Sequence, residues 1–223
     1  KPGAPTLFLG CIARSYDAPT HAALARFCAA LGTGLSIPRA QGCCGALHAH
    51  AGDTATAARL GGSNAGALAG DGPVLTCASG CQGTLAATLD GVAEVEDALV
   101  WLDRQRERLR FRPAAAGAGP VALHLPCSQR LSKASLAATR RLLAAVPGLA
   151  WVELPDTGCC GAAGSHMLLF PDRAAELAMP VHAAAAGFGA CTLLSANVGC
   201  RLHLARDGLR VIHPLTFLAE HLA

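Results

Sequence analysis

The sequence predicts an α/β fold in which one unit of about 110 residues is used twice, giving two pseudo-symmetric domains. Three observations carry that reading. Short apolar runs alternate with stretches of helical periodicity, the same cysteine pattern occurs twice, and one segment rich in Ala, Gly and Pro separates the copies. That segment is Arg112-Pro113-Ala114-Ala115-Ala116-Gly117-Ala118-Gly119-Pro120. We therefore expect a first domain over 1–112, a linker over 113–120 and a second domain over 121–223. Strands separated by helices need crossover connections, so each small sheet should be mainly parallel and buried on both faces.

The first strand is expected at Leu7-Phe8-Leu9, matched by Leu123-His124-Leu125 in the second copy. Leu24, Phe27, Cys28 and Leu31 then recur at helical spacing within 20–31. Leu136, Leu142, Leu143 and Val146 do the same within 132–146, which stops at Pro147-Gly148. Second strands follow at Leu35-Ser36-Ile37 and Trp151-Val152-Glu153-Leu154, each leading into a cysteine doublet. Helices are expected over 54–68 and 172–186, the latter kinked at Pro180. Strands Val74-Leu75-Thr76 and Thr192-Leu193-Leu194 deliver Gly80-Cys81 and Gly199-Cys200, and 95–102 and 212–222 each supply a closing strand and helix.

Composition narrows the function. With 52% apolar and 15% charged residues and a mean hydropathy of +0.38, the 223-residue chain has ample core and is not intrinsically disordered. A net charge of +3 is too mild to point to nucleic acid; the two lysines are Lys1 and Lys133, and the arginines are scattered. Eleven cysteines are the informative number. A small secreted scaffold uses cysteines as disulfides, whereas a larger chain with its own core uses them for metal or redox chemistry. The opening KPGAPTLFLGC has no leader pattern, and the apolar window 181–194 contains His182 and two glycines and is too short to span a bilayer. A cytoplasmic protein without a transmembrane segment is expected.

Cys11 is followed after 31 residues by Gly42-Cys43-Cys44-Gly45, and Cys127 after 31 residues by Gly158-Cys159-Cys160-Gly161. Cys81 and Cys200 close the pattern after 36 and 39 further residues. A shared doublet, flanking glycines and gap mark a duplication. All eight cysteines fall in expected loops after strand ends, where parallel α/β sheets bind their ligands. Four thiolates per half suit a tetrahedral zinc ion or an iron–sulfur cluster. Neighbouring side chains diverge, so a doublet suits separated metal atoms or a thiol–disulfide site better than one small ion. The adjoining glycines let backbone amides approach sulfur.

The doubled pattern resembles the CCG cysteine-rich domain family, over essentially the whole chain. That family includes the B subunit of heterodisulfide reductase and the iron–sulfur subunits of glycolate oxidase, lactate utilisation and anaerobic glycerol-3-phosphate dehydrogenase. The segments Gln41-Gly42-Cys43-Cys44-Gly45-Ala46-Leu47, Ser79-Gly80-Cys81 and Ser195-Ala196-Asn197-Val198-Gly199-Cys200 look most like the glycolate oxidase type. The resemblance implies an iron–sulfur electron-transfer subunit or domain of a flavin-linked 2-hydroxy-acid dehydrogenase complex. Electrons would pass from flavin towards quinone or another carrier, and the hydroxy-acid chemistry would belong to another chain. It implies one or two 4Fe-4S clusters on Cys11, Cys43, Cys44 and Cys81 and on Cys127, Cys159, Cys160 and Cys200. It also implies a flavoprotein partner, a ferredoxin-like subunit or domain, and peripheral attachment at the cytoplasmic face of the inner membrane through such partners.

The sequence departs from the family in two ways. The position three before the last cysteine, a fifth cysteine in heterodisulfide reductase, is Ala78 in one half and Asn197 in the other. Cys77 sits one place earlier and is the candidate extra ligand. The ferredoxin spacing Cys-x2-Cys-x2-Cys does not occur, so the chain resembles a free-standing relative or the C-terminal part of a longer subunit. Two alternatives stand: a heterodisulfide-reductase-like thiol–disulfide reductase, and a zinc-stabilised scaffold without redox activity. Cys28 and Cys191 are expected in the core. His50 and His166, six residues after their doublets, are expected to cap or pack, with ligation or proton relay as the alternative. Lesser roles fall to His48, His124, His203 and His213. Arg130 and Arg201 are expected to be solvated, with charge compensation of a reduced cluster as the alternative.

Overall fold

A computed structural model describes residues 3–115, 117, 119–206 and 208–223. The chain divides into two compact units, Lys1–Arg108 and Leu109–Ala223. Within the expected linker, Ala116 and Ala118 lie outside the described residues. Residues 109–112, expected in the first domain, join the second unit's C-terminus. Phe111 bridges Leu222 and the Arg112 amide donates to the His221 carbonyl.

The first unit begins β1 (Thr6–Phe8), α1 (Ile12–Tyr16), α2 (Ala18–Ala30), α3 (Ala46–His50) and α4 (Thr54–Leu68). It continues β2 (Val74–Thr76), α5 (Ser79–Thr88), β3 (Val95–Asp97) and α6 (Ala98–Arg104). The second begins β4 (Val121–Leu123), α7 (Cys127–Arg130), α8 (Lys133–Ala144), β5 (Trp151–Glu153) and α9 (His166–Leu169). It ends α10 (Pro171–Gly187), β6 (Thr192–Leu194), α11 (Val198–Leu204), β7 (Arg210–Ile212) and α12 (Pro214–Glu220).

Both sheets are wholly parallel in their named strands. The first has the order β1-β2-β3 and the second β5-β4-β6-β7. In the first unit the expected strand at 35–37 is reduced to one bridge, Ser36 to Thr6. Pro38 has no N–H with which to extend it. Ser36 nonetheless occupies the edge that β5 fills in the second unit, so the strand order is common to both. The central strands β2 and β4 are buried at every position, as strands covered on both faces must be.

Helix α2 buries Leu24, Phe27 and Cys28, and α8 buries Ala138, Leu142 and Leu143. Leu136, expected on that stripe, is half-buried. Ser135 and Thr139 take the inner face and receive hydrogen bonds from buried Gln129. Helix α10 runs on through Pro180, which removes one backbone donor without ending it. The helices following the doublets are placed by glycine. Gly45 and Gly161 adopt φ of +82° and +92°, and a Cβ on Gly45 would lie 3.1 Å from Ala57 Cα in α4. One on Gly161 would lie 2.5 Å from the Ala174 carbonyl oxygen in α10. The chain leaves each doublet in a conformation that L side chains avoid, pressed against the next helix.

Gly161→Ala should therefore destabilise by roughly 2 kcal/mol or more, and Gly45→Ala by about 1 kcal/mol. Gly42→Ala, whose Cβ meets nothing within 4 Å, should leave the midpoint of urea unfolding almost unchanged.

Candidate metal centre

Each unit gathers its four repeat cysteines at the ends of its strands. Cys11 precedes α1 and is exposed, Cys43 is half-buried in the loop, and Cys44 beside it is buried. Cys81 arrives from the other side in the first turn of α5. In the second unit Cys127 opens α7 and is exposed, Cys159 is half-buried, and Cys160 and Cys200 are buried. Cys81, Cys127 and Cys200 were expected in loops and instead lie in helical first turns. The strand feeds its helix through a short extended step at Ala78, Pro126 or Asn197.

The sulfurs meet in pairs. Cys11 and Cys43 are 3.3 Å apart, and Cys160 and Cys200 are 3.1 Å apart. Cys44 pairs with Cys81, and Cys127 with Cys159. The other three thiols of a half all act electrostatically on its last cysteine. The amides of Gly45 and Gly161 donate to Cys43 and Cys159 at 3.4 Å. Among the described residues no three His, Cys, Asp or Glu side chains converge to hold one metal ion.

Packing thiols together separates their acidities. A hydrogen bond from Cys81 pulls Cys44 from the ordinary 9.0 down to about 6, against the cost of burial. Cys200 does the same for Cys160, also about 6, with help from the field of His203. Cys81 and Cys200, which keep the shared proton, are pushed strongly up. Cys43 rises to about 12, first through burial and then through the nearby Cys11 and Cys44 sulfurs. Buried Cys28, at about 11, is an inert core thiol.

The doublet loops are fastened differently. In the first unit the Asn64 amide side chain, wholly buried, accepts from Gly42 N (2.8 Å) and donates to the Cys43 carbonyl (2.7 Å). Gln41 accepts from Leu9 N and donates to the carbonyls of Leu7 and Pro38, and Arg14 donates to the Gln41 carbonyl at 2.7 Å. In the second unit Arg130 donates to the carbonyls of Leu125 (2.9 Å) and Gly158 (2.5 Å) and pairs with Asp156, whose carboxylate accepts from Gly158 N. Asn197, at the fifth-cysteine position, accepts from Gly199 N and Cys200 N and donates to Ser128. Arg14, Asn64 and Ser128 escaped the sequence reading, although Arg14 stands at the repeat position of Arg130.

Several expectations are corrected. Cys191 is exposed rather than in the core. Arg201 is 6% exposed and donates to the Ser195 carbonyl, so it is not a solvated charge. Arg130 is a loop fastener. His50 is exposed at the end of α3, whereas His166 hydrogen-bonds the Gly161 carbonyl at 3.0 Å, so the repeat does not make the two alike. His124 is buried against Ser195 and held near 4 by burial and Arg130. Cys77 is buried between β2 and α5.

With this geometry in place, the family model for the CCG cysteine-rich domain matches residues 5–86 and again 121–205. The chain belongs to the CCG cysteine-rich domain family. It is 27% identical to a Bacillus subtilis (strain 168) protein named probable glycolate oxidase iron-sulfur subunit, over 96% of this chain and 53% of that one. It is 28% identical to the glycolate oxidase iron-sulfur subunit of Escherichia coli (strain K12), over 89% of this chain and 53% of that one. The chain thus spans about half the length of the curated relatives it matches. Among solved structures, glutamate racemase isoform RacE1 of Bacillus anthracis aligns with a TM-score of 0.35 at 9% identity, over 98% of this chain and 79% of that one. A likeness that loose bears on neither fold nor function.

Because Cys44 and Cys160 ionise more readily folded than unfolded, the stability they contribute is complete above 9.0 and is lost as pH falls through about 6. In metal-free protein, ultraviolet thiolate absorbance should show a step with a midpoint near pH 6. Cys44→Ser and Cys160→Ser should each remove half of that step.

Proposed function

We propose that the chain is the cluster-binding, electron-transferring part of a glycolate oxidase-like iron–sulfur subunit. The observation that carries this reading is the paired set of four thiols, repeated in both halves, each with one thiol already ionised at neutral pH. Cys11, Cys43, Cys44 and Cys81 hold one 4Fe-4S cluster, and Cys127, Cys159, Cys160 and Cys200 hold the other. One feature favours this set over a single zinc ion: the thiols of each half meet as two pairs, the first cysteine with one member of the doublet and the last cysteine with the other. An iron–sulfur cluster supplies one-electron redox chemistry at a potential set by its thiolates, their hydrogen bonds and burial.

The chain's own residues do the rest. Gly45 N and Gly161 N donate to cysteine sulfur, which favours the more negatively charged, reduced state. Exposed Cys11 and Cys127 keep each centre near the surface, where a partner can exchange electrons. The partner is a flavoprotein dehydrogenase, with a ferredoxin-like module and a quinone or other carrier further along. Among the described residues no helix is long and apolar enough to cross a membrane, and attachment to the membrane's cytoplasmic face comes through partners.

Anaerobically purified protein should contain iron and inorganic sulfide and give an EPR signal on reduction. Cys44→Ser and Cys160→Ser should each remove about half of the iron, and Cys28→Ser none. Colourless protein carrying stoichiometric zinc would overturn the reading.

A further inference from the structure

Arg14 and Arg130 stand three positions after the first cysteine of their halves, on the short helices α1 and α7. Each reaches across to the loop that carries its doublet: Arg14 to the Gln41 carbonyl, and Arg130 to the Gly158 carbonyl. The span covered is 27 residues of chain in one half and 28 in the other. We propose that these arginines are a duplicated pair of positioning residues, each fixing the first cysteine of its half relative to the doublet. The proposal deepens the cluster-binding reading and rests on it for its functional meaning.

The two clasps differ in how much they carry. Among the described residues Arg14 makes one hydrogen bond, and its loop is held independently by the buried side chains of Gln41 and Asn64. Arg130 makes three contacts, to Leu125, Gly158 and Asp156, and uses the full width of its guanidinium. Asp156, itself part of the clasp and exposed, accepts from Gly158 N as Asn64 accepts from Gly42 N, and among the described residues no buried amide side chain from the following helix backs it. Gly45 packs on Ala57 as Gly161 packs on Ala174, and counting the same seven residues on from each puts Val181 where the first half has Asn64. A lysine carries its donors on a single nitrogen, which can serve one such carbonyl but cannot span acceptors lying against three separate guanidinium nitrogens. The first clasp therefore tolerates lysine and the second does not.

The test is site-mapped alkylation of the metal-free full chain with iodoacetamide, read by peptide mass spectrometry, alongside iron retention under a chelator in the loaded protein. Arg130→Lys should speed alkylation of Cys159 and Cys160 by roughly tenfold or more, the effect of losing charge-assisted hydrogen bonds. Cys43 and Cys44 in the same molecule should be unaffected, which separates a local clasp from general destabilisation. Arg14→Lys should change the first doublet less than about twofold, and Arg14→Gln more. In loaded protein, Arg130→Lys should hasten iron loss in a Cys44→Ser background, which keeps the second centre, and leave it unchanged in a Cys160→Ser background, which keeps the first. Should Arg130→Lys not fold, Asp156→Asn, which loosens the same clasp, should give the same selective increase. An equal acceleration at all four doublet cysteines, or rates unchanged in Arg130→Lys, would overturn the proposal. Wild-type protein without iron would overturn the cluster reading and leave the alkylation result to judge the clasp.

Discussion

Thiols brought within 3.3 Å of one another in a partly dry site resist their own arrangement. Each thiolate raises the cost of ionising the next, and burial raises it further. The sulfurs cannot organise themselves, so the backbone must hold them. That constraint explains why the surrounding architecture is so stiff: parallel strands end together at one edge, left-handed glycines press the loops onto the following helices, and side-chain amides or guanidinium groups close the loops. Where the backbone insists, the thiols settle by sharing protons. One cysteine of each doublet becomes the acceptor and the distant fourth cysteine keeps the hydrogen.

Duplication has kept the frame and changed the fittings. Both units have the same strand order and the same pairing of first cysteine with doublet. The second adds an asparagine cap that ties the helix of Cys200 to Ser128 beside Cys127, where the first has only Ala78. The first adds Asn64 and Gln41 under its loop. Two thiol sets with matching donors but different scaffolding have different local fields and different rigidity; on the proposed function, these are means of setting two potentials with one ligand set.

Much of the fold was legible because local and global demands agree. The apolar runs 74–76 and 192–194 became β2 and β6, and 54–68 became α4 with its Asp53 cap. The failures have physical causes. At 35–37 β-favouring residues run into a proline, so pairing stops after one bridge. Helix starts at Cys81 and Cys200 were hidden because glycine-rich sequence reads as loop, while the strand above and the extended N-cap residue enforce the turn. Arg201 looked like a surface charge because sequence cannot show the Ser195 carbonyl waiting inside. Cysteine spacing singled out the thiols themselves. Arg14 and Asn64 act through backbone carbonyls and amides that any residue type provides, so only the repeat, compared position by position, points to Arg14, and nothing in the sequence points to Asn64.

The lowered acidity of Cys44 and Cys160 also bears on assembly. Thiols must shed protons to bind iron, so filling a centre acidifies its surroundings, and the reaction runs against an acid medium. Each half enters that reaction with one ionised sulfur, buried and fixed by a neighbour's hydrogen. On the proposed function, each half would therefore release one fewer proton on loading than ordinary thiols would, and Cys44 or Cys160 would offer iron a ready thiolate at the floor of the site.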